Sequence, residues 1–149
     1  MTMGAFTLFN TAKLYIGDGT LDLNSNTIKV MALSSAYTPN VATQTIKANI
    51  VANEVASGNG YTTGGVTVTP TYTLSGGTAT FDTTDPSWTG ATAGFGLRYL
   101  VWYASGTLNT IVDPIIGYKL VDTTPADVTI GVGVTVNFVL NASGLFTLT

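Results

Sequence analysis

The chain has 149 residues and a net charge of −3, with 45% hydrophobic residues and only 9% charged, against roughly 25% charged in an average soluble domain. It contains no cysteine and no histidine, which excludes a disulfide framework and thiolate metal sites and removes the commonest general base, transition-metal ligand and pH switch. Five lysines and arginines against eight acidic residues argue against nucleic acid, whose phosphates demand a basic surface.

Taken in chain order, Met1–Phe9 carries Phe6, Leu8 and Phe9 and no charged side chain. It lacks the basic start and long apolar core of a secretory signal, so the protein is expected to begin in the cytoplasm. The segment is read either as an arm that orders against a neighbour or as a piece closing this subunit's own core. Phe6, Leu8 and Phe9 are the candidate partner-interface residues, and loss of Met1–Phe9 is expected to spare the fold but weaken assembly. Asn10–Ile16 suits a short helix or an extended continuation. Gly17-Asp18-Gly19 and Asp22–Asn26 are turns, and Thr27–Leu33 alternates as a strand with Ile28, Val30 and Ala32 on one face. Thr45–Val55 suits one or two helical turns. Gly58–Gly65 is a glycine-rich turn followed by a strand over Val66–Thr73. Ser75-Gly76-Gly77 then turns the chain into a partner strand over Thr78–Asp82. Phe95–Tyr103 is apolar on both faces and reads as one buried strand, and Ile111–Val121 supplies another. Thr123–Ala126 forms a loop, and Leu145–Thr149 a last short strand.

The strongest pattern is Val128–Leu140, where Val128, Ile130, Val132, Val134, Val136, Phe138 and Leu140 fall on every second residue. Alternation of this kind belongs to a strand, not to a helix or a membrane-spanning helix. The segment is expected to be the central strand, with a bend near Gly131–Gly133. On that reading Val134→Asp abolishes folding and Thr135→Asp is tolerated. About eight strands with turns at roughly 8–12-residue spacing indicate an all-β chain. We expect a single antiparallel β-sandwich domain over residues 1–149, jelly-roll-like, with at most one or two short helices.

Motifs for chemistry are weak. Asp22-Leu23-Asn24-Ser25-Asn26 opens like a calcium loop but has Thr27 and Leu33 where glycine and glutamate belong, so it reads as an Asx turn. The Gly58–Gly65 stretch lacks the Lys-Ser/Thr and the helix of a phosphate loop. Asn141-Ala142-Ser143 reads as a turn rather than a glycosylation acceptor. The single arginine, Arg98, is expected to pair with Asp82 or Asp113, to stack on Trp88, or to make a subunit contact. No serine has an activating base. No catalytic residue, cofactor or metal is expected, and the chain is read as not an enzyme.

Three blocks together resemble a known family. They are Leu21–Val30 leading to Ser35-Ala36-Tyr37-Thr38-Pro39; Asn53-Glu54-Val55 with Gly60–Val66; and Trp88 followed by Arg98-Tyr99-Leu100-Val101. The end, Asn141–Phe146, fits too. In order and spacing they are similar to small virion structural proteins of tailed bacteriophages, some of which are capsid decoration or cement proteins. The resemblance implies a β-sandwich subunit on the outside of the head, often a trimer, whose partner is the major capsid protein, assembled in the host cytoplasm. It supplies no catalytic residue. Low charge beside an apolar excess independently suggests an obligate homo-oligomer, with a trimer the best guess. The alternatives are a tail-tip, baseplate or fibre-associated structural protein, or a carbohydrate-binding module using Trp88, Trp102 and surface tyrosines as a sugar platform. Neither nucleic acid nor a membrane is expected as a partner.

Overall fold

A computed structural model of the chain describes residues 1–124 and 127–149. Pro125 and Ala126, from the loop expected at Thr123–Ala126, lie outside the described residues. The first half runs β1 (Thr7–Leu8), helix α1 (Asn10–Gly17), β2 (Ile28–Leu33), two 3-10 turns at Lys47–Asn49 and Val51–Asn53, β3 (Val66–Val68) and β4 (Pro70–Ser75). Next come β5 (Thr78–Thr83), β6 (Ser87–Thr89), β7 (Phe95–Leu97), β8 (Tyr99–Ala104), β9 (Thr107–Leu108) and β10 (Ile111–Val112). The chain finishes with β11 (Ile115–Leu120), β12 (Val128–Ile130), β13 (Thr135–Asn137) and β14 (Phe146–Leu148). The protein is thus predominantly β, with one short helix.

A five-stranded antiparallel sheet, ordered β1-β11-β8-β2-β3, forms the centre. Smaller antiparallel sheets pair β14-β5-β4, β12-β7, β13-β6 and β10-β9. Both faces of β8 are covered, and Leu100 through Ala104 are buried without exception. A fully buried aliphatic side chain is worth about 1.5–3 kcal/mol, so this strand contributes heavily to the core. On one face Trp102 meets the Phe6 ring edge-on at 5.4 Å, and its indole N–H donates to Thr83 Oγ1 on β5 at 3.2 Å. On the other, Tyr99 packs against Tyr37 and Tyr118, and Phe9 packs on Tyr118.

The central strand is therefore β8, not Val128–Leu140. That stretch divides into β12, paired with β7, and β13, paired with β6. The division falls at the glycines where a bend is expected. Gly133 has φ +70°, and the turn is sewn to Gly90 by Gly133 N–H to Gly90 O at 2.8 Å and Gly90 N–H to Val134 O at 3.0 Å. A Cβ on Gly90 would stand 2.1 Å from the Gly131 carbonyl oxygen, so no other residue permits this approach. In consequence Val132 and Val134 are exposed, at 61% and 49%, while Ile130 and Phe138 are buried. Phe95–Tyr103 likewise splits into β7 and β8 at Arg98. There the Arg98 N–H bonds to Leu33 O and the Arg98 carbonyl accepts from Val121 N–H, as the chain changes sheets. Val66–Thr73 is divided between β3 and β4.

Other expectations fit the structure. Thr27–Leu33 holds β2, and Asn10–Ile16 is the helical alternative. The β4–β5 hairpin turns on Gly76-Gly77, with φ +56° and +83°, the double-positive geometry that matches strand twist and favours glycine. The Asp22 carboxylate accepts from Asn24 and Ser25 N–H, as an Asx turn does.

Met1–Phe9 has an intrachain place. Gly4 N–H bonds to Leu120 O at 2.8 Å, Thr7 and Leu8 pair with Tyr118 and Gly117, and Phe9 is wholly buried. Phe6 lies against Gly117, where a Cβ would come within 2.3 Å of its ring. Removal of the segment is accordingly expected to unfold the protein.

Two substitutions test the reassigned centre by denaturant unfolding. Leu100→Ala on β8 is expected to cost about 2–5 kcal/mol. Val134→Asp, at an exposed turn, is expected to stay within about 0.5 kcal/mol of the parent.

Candidate functional site

Successive residues of a strand face opposite ways, so Gly117 and Lys119 on β11 share the face that carries Trp102 and Leu100. Phe6 fills the space over Gly117. Beyond it, the face is roofed by Met3–Phe6 on one side and by residues 139–145 on the other. Between them lies a pocket of about 480 Å³ with Lys119 in its lining.

Lys119 is only 6% exposed. Among the described residues the one ion pair joins Lys47 to Asp113, and Lys119 makes no hydrogen bond or ion pair. Burial pulls its ammonium below the ordinary lysine value of 10.5, and the field of Asp82 offsets part of that. Asp82 is not in contact with it, and its Oδ1 instead accepts from Thr83 N–H at 2.9 Å. Asn141 also lines the pocket. Its Oδ1 is taken by Ser143 N–H at 3.0 Å, leaving the Nδ2 hydrogens as donors. The remaining wall is largely apolar, with Met3, Phe6, Leu140 and Leu145. The site can hold an anion. No acid or base among the described residues touches the amine to relay a proton.

A second polar cluster sits at the opposite end of β8 and is internally satisfied. Lys47 Nζ meets Asp113 at 2.9 Å and lies 5.0 Å from the Tyr103 ring centre. Tyr103 donates to Gly64 O at 2.8 Å, and Tyr61 donates to Glu54 while accepting from Ala32 N–H. Burial would raise the Asp113 carboxyl, but the Gly106 N–H and the Lys47 ammonium outweigh it and hold it below the usual value. Burial pushes the Tyr61 phenol up. This cluster fixes loops and offers no open valence.

The third feature is an apolar row. Register aligns Leu74, Ala79 and Leu148 across β4, β5 and β14. Nearer the core the same face carries Tyr72, Phe81 and Phe146. The row overhangs that core, leaving Leu74 74% and Leu148 42% exposed. The opposite face of the sheet carries Thr73, Thr80 and Thr147.

Of the candidate interface residues, Phe9 is buried and Phe6 and Leu8 are partly buried against the core. Trp88 and Trp102 are 4% and 0% exposed, so neither ring forms a sugar platform. Trp88 packs on Tyr61 and Phe138 rather than under Arg98, whose Nη1 donates to Thr124 O at 2.9 Å. Asp113 takes Lys47, not Arg98. Sequence reasoning missed Lys119 and the Leu74 row. Lys119 lies between Tyr118 and Leu120, where a lysine reads as outward-facing, and only the two-sided coverage of β11 reverses that.

Among the described residues, no group of three or more acidic side chains is placed to hold a metal, and no helix is long and apolar enough to cross a membrane. No family model matches the chain, and neither a curated protein nor a solved structure matches it.

Lys119→Met keeps the aliphatic stem and removes the charge. It is expected to raise stability modestly at pH 7, because burial of the stem disfavours the protonated amine in the folded state while solvent still screens part of its charge. The folded state disfavours the protonated lysine, so wild-type stability gains as pH rises toward 10.5 and the penalty disappears. The gap between variant and wild type should therefore narrow on going from pH 7 toward 10.5, measured by chemical denaturation at each pH.

Proposed function

We propose that this chain is a structural subunit of a tailed-phage virion, of the capsid decoration or cement kind, that binds the head and stabilises it. The observation that carries the reading is the overhanging Leu74–Ala79–Leu148 row on a projecting hairpin. A Leu left 74% exposed beside a second exposed Leu is an apolar contact without an intrachain partner. The flanking strands β4 and β14 each end the sheet, so backbone groups along their outer edges remain open for pairing. So sparsely charged a surface favours permanent packing over solvated independence. The blocks that resemble virion proteins of tailed phages point the same way. We read the architecture as a jelly-roll-like sandwich, with the five-stranded sheet as one layer and the small sheets on its Trp102 face as the other. The subunit is expected to form a homotrimer.

Electron microscopy of intact particles carrying a tagged copy tests the assignment. Density on the head supports it, and density confined to tail tip, baseplate or fibres replaces it with the tail reading. Leu74→Asp should leave the unfolding midpoint unchanged but reduce particle binding by about tenfold or more. Binding of the parent should persist at high salt, because few ion pairs are available for screening to weaken. Release of the parent by salt, or full binding by Leu74→Asp, would overturn the apolar docking surface.

A further inference from the structure

We propose that the Lys119 pocket is a carboxylate-binding site that takes a monoanion with a short apolar body. The cation is already in place: Lys119 is 94% removed from solvent, lines the pocket and has no ion-pair or hydrogen-bond partner among the described residues. The stem is buried while the ammonium keeps some access to solvent, so an anion entering the pocket can reach it and form a charge-assisted hydrogen bond. Asn141, also in the lining, has its Oδ1 taken by Ser143 N–H and so offers its amide hydrogens as a neutral donor. One cation and one amide suit a carboxylate, whereas a phosphate dianion calls for more donors. Met3, Phe6, Leu140 and Leu145 supply the surface for the apolar body, and a volume of about 480 Å³ falls within the usual range for small-molecule sites.

Leu145, in the pocket wall, precedes β14, and the strand carries Thr149 away toward the hairpin tip, where Leu148 pairs with Ala79. At about 3.3 Å per residue Thr149 lies roughly 13 Å from Leu145. The ligand is a free carboxylic acid or the carboxylate of a polypeptide end. The site is separate from the Leu74 row, so its fate does not depend on the virion reading.

Calorimetric titration of the full chain with hexanoate and with N-acetyl-leucine, each against its neutral amide, tests the site. Each acid should bind about tenfold or more tighter than its amide, and Lys119→Met should erase that preference. Lys119→Gln serves as a second variant if the first misfolds, and Asn141→Ala should weaken binding a few-fold. Tighter binding of N-acetyl-leucine assigns the site to a polypeptide terminus, and tighter binding of hexanoate to a free acid. Equal binding of acid and amide, undiminished binding by the Lys119 variants, or no saturable binding of either acid overturns the proposal.

Discussion

Among the described residues one side-chain hydrogen bond joins the five-stranded sheet to the β14-β5-β4 sheet, from the Trp102 indole on β8 to the Thr83 hydroxyl on β5. Both side chains are buried, so breaking the bond leaves two polar groups without water, at about 1–3 kcal/mol for each unsatisfied group. Apolar contacts alone allow two sheets to slide, whereas a bond with a direction does not. With that bond in place, Phe6 wedges between Trp102 and Phe146, at 5.4 and 6.0 Å between ring centres. The N-terminal strand β1 is thereby held against β11.

The same wedge makes the pocket. Phe6 needs the bare backbone of Gly117, and the strand's alternation then delivers Lys119 to the next position on that face. The molecule treats its cations in contrasting ways. Lys47 is clamped by Asp113 and an aromatic face, and its neighbourhood is closed. Lys119 has a buried stem and an ammonium that opens on the pocket, with no ion pair among the described residues and only the field of Asp82 acting on it. The first arrangement secures loops, while the second leaves an unpaired charge that an incoming anion can neutralise.

Local signals were legible in the sequence, and pairings between distant segments were not. The β4–β5 hairpin is written in Gly76-Gly77 and the alternation around it, and β2 in Ile28-Lys29-Val30. Val128–Leu140 shows the limit. Seven alternating apolar residues establish extended chain, but Gly131 and Gly133 let that chain leave one sheet and enter another, exposing Val132 and Val134. Alternation cannot say which partner a strand will find. Lys119 was hidden for a related reason, because its burial comes from segments more than a hundred residues upstream and twenty downstream. The Leu74 row depends on the register of β14 against β5, which neither strand specifies alone.

The order of the main sheet bears on how the protein comes to be made. β1 pairs with β11, joining Thr7 to Tyr118, and β2 can meet β3 early, joining Ile28 to Val68, but gains its longer partner β8 only later, joining Ile28 to Ala104. During synthesis the first strand therefore has no sheet to join until about 110 further residues have been added. The β4–β5 hairpin, by contrast, closes over a two-residue loop and is available early. Closing such long loops makes folding slow and leaves greasy strands unpaired in the interim. Yield should then be governed by how crowded the nascent chains are, falling at fast expression and recovering at low temperature, even though the finished molecule is well packed.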